Sequence, residues 1–398
     1  MHGWIESNRY LAQCHSFMNT PILTPKVVGT AGGGTIVIKQ ANSSCALVSA
    51  GEWSELLSCF PDHTVFHTIP WLSAVAAANG LDLVLTSFFC AAQCLALWPC
   101  LVMRRGPLKI IGSPLPGWST AYLGPLFAPQ ANVDEALGAM LGHRALSRSA
   151  YFACKVIDHQ RSIDLSPFGF APVMRYETYR LDLDRAEDEL WRNVRQECRK
   201  HVKKAAKQGV EIRSEQSPQF LDDYWDMTIE SFARSGVRPP FSRQLLDQLW
   251  HNLQPIGKLF ALSAYHEGTC AASIIVVRDD HTMYNWSSAS RASLHHLCAP
   301  SALQWEAIRL AHQHQLRTYD FISTSGGAGK FKQSFGPHAM FTSTHWERSP
   351  SPILLAMKRK YENFLRRRQQ IPVAQQSRVS QGSGDRQGTG VTCTAPTC

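Results

Sequence analysis

The chain has 398 residues, of which 44% are hydrophobic and 18% charged, enough apolar material to bury one large or two ordinary cores. No run approaches the roughly 18–20 uninterrupted apolar residues of a membrane helix, since Gln93 and Pro99 interrupt the best candidate, 81–103. The formal charge of +9 comes from two places: Arg192–Lys207 carries seven Lys/Arg against Glu197, Lys358–Arg368 carries six against Glu362, and the remainder is close to neutral. Patches of this kind suit a polyanionic partner such as CoA, tRNA or the surface of an anionic membrane.

In chain order, residues 1–45 show no sustained period and read as an irregular segment. Helices are expected at 52–59 and 70–79, the second with Pro70 in its first turn. Apolar, β-rich text at 81–89, 94–104 and 108–112 predicts three strands, followed by a Pro/Gly loop, a helix at 132–143 and a strand at 151–157. A strand at 177–183 leads into one long helix, 187–207, which Gly209 terminates. Helices at 218–233 and 241–252 precede a three-strand meander at 258–265, 271–278 and 282–289, with turn chemistry at 266–268 and 279–281. A helix from Pro300 to His314, a strand at 317–322, a glycine-rich loop, a short helix from Phe331, a strand to Trp346 and a basic helix at 350–368 follow. The last thirty residues have no apolar periodicity and read as a disordered tail.

The twelve cysteines include no C-x-x-C pair. They read as reduced and inert, without a disulfide partner and without a metal site. The sixteen histidines form no catalytic pattern, no nucleophilic serine elbow is present, and 326–330 lacks the full phosphate-loop motif. With no basic stretch ahead of an apolar core at the N-terminus, a cytoplasmic location is expected.

Three segments carry a resemblance. The first joins Tyr176-Glu-Thr-Tyr-Arg-Leu-Asp182, Leu190-Trp191 and Arg199-Lys-His-Val-Lys-Lys-Ala-Ala-Lys-Gln-Gly-Val210. The second pairs Tyr284-Asn-Trp286-Ser-Ser-Ala289 with Pro300-Ser-Ala-Leu-Gln-Trp305-Glu-Ala-Ile308; the third joins Tyr319-Asp-Phe321 to Gly329-Lys-Phe-Lys332-Gln-Ser-Phe-Gly336. In this order they resemble the FemAB-like and CelD-like acyltransferases of the GNAT superfamily. The resemblance implies an α+β fold of tandem duplicated GNAT units, with mixed, largely antiparallel sheets flanked by helices. The expected units are 46–175 and 176–368, flanked by 1–45 and a tail at 369–398.

The implied activity is transfer of an acyl or aminoacyl group to an amine acceptor of a cell-envelope or exopolysaccharide precursor. No cofactor is held permanently; the donor is acyl-CoA or aminoacyl-tRNA. The glycine-rich pyrophosphate loop of single-domain GNAT enzymes is missing between Ala289 and Leu303, which favours the tRNA-using branch. The alternatives are an acyl-CoA-dependent N-acetyltransferase and, in another class, a catalytically silent binder of tRNA or anionic lipid.

Lys332 matches the family lysine assigned to a substrate phosphate or oxyanion. A fixed cation there would oppose the charge that develops on a carbonyl oxygen during acyl transfer. Gly329 permits tight backbone beside a ligand, and Phe331 opens the short helix. Asp320, at a strand end, is either a general base, an amine-orienting carboxylate, or a cap for the loop that follows. Arg199 and Lys203 lie on a basic stripe that is either a phosphate site or a solvated helix face. Tyr284 and Trp286 share one side of a strand and either line a cleft or fill the core.

Overall fold

A computed structural model describes residues 43–360, apart from 116–118, 158–162, 235, 237, 325–326, 357 and 359. The tail at 369–398, most of the segment 1–45 and the helix expected at 350–368 beyond residue 360 lie outside the described residues.

The first half runs β1 (Ser43–Leu47), α1 (Ala50–Leu57), α2 (Ile69–Asn79), β2 (Asp82–Cys90), β3 (Gln93–Arg105), β4 (Leu108–Ser113), a short β5 (Leu126–Phe127), α3 (Val133–Gly142) and β6 (Tyr151–Ile157). Local chemistry sets several boundaries. Ser49 and Glu52 form a reciprocal capping box at the start of α1. Pro70 sits in the first turn of α2, and Gly80, in the left-handed region, ends it. Residues 95–102 of β3 are all buried, as expected of an interior strand covered on both faces.

After β7 (Ala171–Asp182), α4 (Glu187–Asn193) and α5 (Gln196–Lys207), the second half repeats the order. It runs β8 (Glu211–Ser214), α6 (Phe220–Arg234), α7 (Arg243–Leu253), β9 (Leu259–His266), β10 (Thr269–Arg278), β11 (Thr282–Ser290), α8 (Ala299–Gln313), β12 (Thr318–Asp320), α9 (Gly327–Gln333) and β13 (His338–Arg348). Each half is therefore strand, two helices, a three-strand meander, a helix and a strand, a duplicated α+β order.

The two halves form one sheet in the order β1-β2-β3-β4-β6-β13-β7-β12-β11-β10-β9-β8, with β5 on the side of β3. Only β4 with β6 and β11 with β12 run parallel; the other pairs are antiparallel. The order reads as a near mirror about the centre, where the halves exchange strands. β7, which follows the first half, pairs with β12, and β13, which ends the second, pairs with β6. A shared apolar core reinforces the exchange. Phe66, Trp71 and Tyr122 of the first half pack with Tyr224, Trp250 and Tyr284 of the second, and Asn252 of α7 donates to the Pro70 carbonyl of α2. Among the described residues no helix is long and apolar enough to cross a membrane.

Five features depart from the sequence expectations. The helix at 187–207 is two helices. Val194 and Arg195 are extended, Val194 is buried, and the Arg195 amide donates to the carbonyl of Ser334, so a docked segment breaks the run. The short helix opens at Gly327, not Phe331. β1 begins at Ser43, inside the segment read as irregular, and β8 was not anticipated. β7 starts at Ala171, so the boundary at 175/176 falls within a strand.

The break at 194–195 also depends on Gly336. It adopts φ +84°, and a Cβ there would lie 2.9 Å from the Asn193 carbonyl oxygen. Gly257 has φ +64° but open space around it. Gly336→Ala should cost about 1–3 kcal/mol, measurably more than Gly257→Ala, in paired denaturant titrations. Equal midpoint shifts would show that the contact at Asn193 does not matter.

Candidate active site

β12 is three residues long, and its last residue, Asp320, is wedged between strands of both origins. It opposes Tyr284 on β11 and Arg180 on β7. β12 then stops, while β11 continues for six more residues to Ser290, so the parallel pair parts at Asp320. β11 also carries a bulge at Trp286, across which its register with β10 shifts.

The Asp320 side chain is wholly buried. Tyr122 Oη donates to both of its oxygens, at 3.2 and 3.1 Å. Thr178 Oγ1 donates at 2.7 Å, Arg180 Nε at 2.8 Å and the Ile322 amide at 2.6 Å. A buried charge persists only when paired and hydrogen-bonded, and these four donors meet that need. They come from the β4–β5 loop, β7 and the segment after β12, so one carboxylate ties together parts of the chain up to 198 residues apart.

Lys332, on α9, lies half-buried beside this cluster. Its Nζ donates to the carbonyl of Phe321 at 2.9 Å and reaches that of Ser323 at 3.5 Å. Burial pulls its ammonium down to about 8, with the Asp320 charge acting in the opposite direction. Gly329, one turn earlier, is buried against its own chain. A Cβ there would fall 2.1 Å from the Thr324 carbonyl oxygen, so the missing side chain makes room for protein backbone. Phe331 packs inward beside Phe335, ring centres 5.3 Å apart.

The first half covers the site. Trp286 Nε1 donates to the Ser119 carbonyl at 2.8 Å, and Trp71 Nε1 donates to Thr120 Oγ1 at 3.1 Å. Trp71 and Trp286 meet edge to face, and Phe66 contacts both Tyr122 and Tyr284. Tyr284 is buried, its hydroxyl donating to Asp279 at 2.6 Å, and burial beside that carboxylate pushes the phenol well up. Tyr284 therefore fills core, and Trp286 sits partly buried at its edge.

The structure thus brings Lys332, Asp320, Tyr284, Gly329 and Phe331 around the end of β12, with Trp286 alongside. Arg199 and Lys203 are placed elsewhere, on α5. The Arg199 guanidinium donates to the carbonyls of Trp191 and Arg192, closing the end of α4, and Lys203 is exposed. Sequence reasoning missed Tyr122, Thr178 and Arg180. The alternation Tyr176-x-Thr178-x-Arg180 was a usable signal, because it puts a cation on the inward face of a strand; nothing local marks Tyr122.

Residues 192–333 match the family model described as an acetyltransferase (GNAT) domain. No curated protein matches the chain in sequence. Among solved structures the chain is similar to FemX, at 12% identity and a TM-score of 0.62, over 79% of this chain and 99% of that one. It is also similar to a conserved protein of unknown function from Bacteroides thetaiotaomicron VPI-5482, at 13% identity and a TM-score of 0.53, over 76% of this chain and 98% of that one. These likenesses show the fold.

Removing Asp320 strands a mostly buried Arg180. Asp320→Ala should lower stability by about 3–5 kcal/mol, the range for breaking a buried pair. Asp82→Ala, at an ion pair exposed on both sides, should stay within about 0.5 kcal/mol. Comparable losses at the two positions would deny Asp320 its anchoring role.

Proposed function

We infer that this chain, an acyltransferase of the GNAT type with a FemAB-like tandem fold, moves an acyl or aminoacyl group onto an amine acceptor of a cell-envelope or exopolysaccharide precursor. The observation that carries this reading is the placement of Lys332. Its ammonium is held against backbone carbonyls, half-buried, beside the point where β11 and β12 part.

In the reaction the acceptor amine attacks the donor's ester or thioester carbon. The carbonyl π electrons move onto oxygen, and the Lys332 cation stabilises that developing charge. Collapse of the intermediate re-forms the carbonyl and expels the tRNA hydroxyl or the CoA thiol, and the amine's proton leaves with it or passes to solvent. Asp320, with four donors on its oxygens, is a positioning residue. It holds Arg180, Tyr122 and the turn at Ile322, and through them the carbonyls that seat Lys332.

The resemblance to FemAB-like enzymes supports aminoacyl-tRNA as donor. The GNAT family match supports acyl-CoA. Between β11 and α8 lies a 3₁₀ segment, Ala292–Leu297, and Arg291 is engaged by the Cys270 carbonyl and Asp223. That arrangement leaves no glycine-rich pyrophosphate loop there and favours the tRNA donor. Cytoplasmic action and contact with an anionic membrane through the basic segments belong to the same reading.

Lys332→Met should lower kcat by about a hundredfold or more, the scale of losing one such contact. Lys330→Met, an exposed lysine two positions earlier, should leave turnover near the parent value. A loss confined to KM would make Lys332 a donor-binding group, and equal small effects would remove it from the chemistry. A melting curve must accompany the assay, because the Phe321 carbonyl loses its partner.

The pH dependence has a definite sign. Lys332 is cationic below about 8, so oxyanion stabilisation is present at lower pH and fades as pH rises through that value. The kcat profile should fall on its alkaline side, and Lys332→Arg should move that fall upward. A rate that rises through pH 8 would mean the neutral amine is the active form.

A further inference from the structure

Beyond β7, a serine on β13 and a lysine on β6 have no hydrogen-bond partner for their side chains among the described residues. In the antiparallel pair of β6 and β13, His345 opposes Lys155 and Ser343 opposes Ile157, while Ser343 also opposes Tyr176 of β7. Opposed residues lie on one face, and β7 continues that face through Thr178 and Arg180 to Asp320. Lys155 and Ser343 therefore look onto the same side of the sheet as the Asp320 cluster.

Lys155 Nζ lies 4.0 Å from the centre of the Tyr176 ring and 5.5 Å from that of Tyr122, whose hydroxyl donates to Asp320. Among the described residues no carboxylate or carbonyl accepts from it. Ser343 is fully buried, and its Oγ has no hydrogen-bond partner among the described residues. Glu347, further along the face, is occupied by His345 and Lys358. Among the described residues three cations, Arg180, Lys332 and Lys155, thus act on or border Asp320, while the carboxylates of Asp279 and Glu347 lie beyond the rings of Tyr284 and Tyr176.

We propose that Lys155 and Ser343 form an anion subsite beside the Lys332 site, taking a carboxylate or phosphate group of one of the two substrates. The proposal rests on the acyl-transfer reading. An ammonium against two aromatic faces keeps its N–H groups free for charge-assisted bonds to oxygen, and the Ser343 hydroxyl adds a buried donor. Burial brings the Lys155 ammonium down to about 8, against the pull of Asp320, so an arriving anion would restore its charge.

The test is calorimetry on the full chain with sodium phosphate and with acetate at low ionic strength, repeated at pH 8 in buffers of different protonation heat. The parent should bind one of the two anions and take up protons as it does so; the tighter one distinguishes phosphate from carboxylate. Lys155→Met should weaken binding about tenfold or more and abolish the proton uptake. Ser343→Ala, which removes only a hydroxyl, should weaken binding several-fold, and it decides the matter if Lys155→Met does not fold. A parent that binds neither anion, or variants that bind as the parent does, overturns the subsite. Donor turnover on the same preparations separates the two claims. Turnover with unaltered anion binding keeps acyl transfer and loses the subsite; no turnover with binding lost in the variants does the reverse.

Discussion

The carboxylate of Asp320 is the constraint around which the molecule is organised. It sits at the end of a three-residue strand, wholly buried, and receives bonds from Tyr122, Thr178, Arg180 and the Ile322 amide. A buried carboxylate without these donors would cost several kcal/mol. The chain meets that cost by drawing one loop of the first half and the exchanged strand β7 onto the second half. The site is therefore not the property of either half alone.

Strand exchange gives this arrangement its rigidity. β7 pairs with β12 and β13 on its two edges, and β13 pairs with β6, so the centre of the sheet alternates between halves. The shared core of Phe66, Trp71, Tyr122, Tyr224 and Tyr284 lies on the face that carries Asp320. Motion of one half against the other would break ladder hydrogen bonds and aromatic contacts together, which keeps Lys332 and its carbonyl partners in register with the loop at 119–124.

Much of the fold was legible in the sequence. The apolar strand text at 81–105, the meander at 258–289 and the helix after Pro300 all found their elements. The helix at 187–207 was misread because its period runs unbroken through Val194; the break comes from Ser334 and Gly336, more than a hundred residues away. β8 is four residues long with one half-buried position, too short to show alternation. At the site, Lys332 and Asp320 stood out because motif and strand end coincide there. Tyr122 and Lys155 did not, since only the strand exchange brings them to Asp320. Arg199 lies apart from this cluster: the stripe of one charge was legible, but not that one guanidinium nitrogen would donate to the carbonyls of Trp191 and Arg192 at the end of a helix.

The most direct measurement of the central claim is mass analysis of amine acceptors incubated with the chain and either aminoacyl-tRNA or acyl-CoA. Acyl transfer at Lys332 predicts a donor-dependent mass gain on the acceptor amine, matched by free tRNA or free thiol, and its loss in Lys332→Met. Saturable donor binding with no mass gain on any amine would contradict acyl transfer and leave the chain a binder of polyanions.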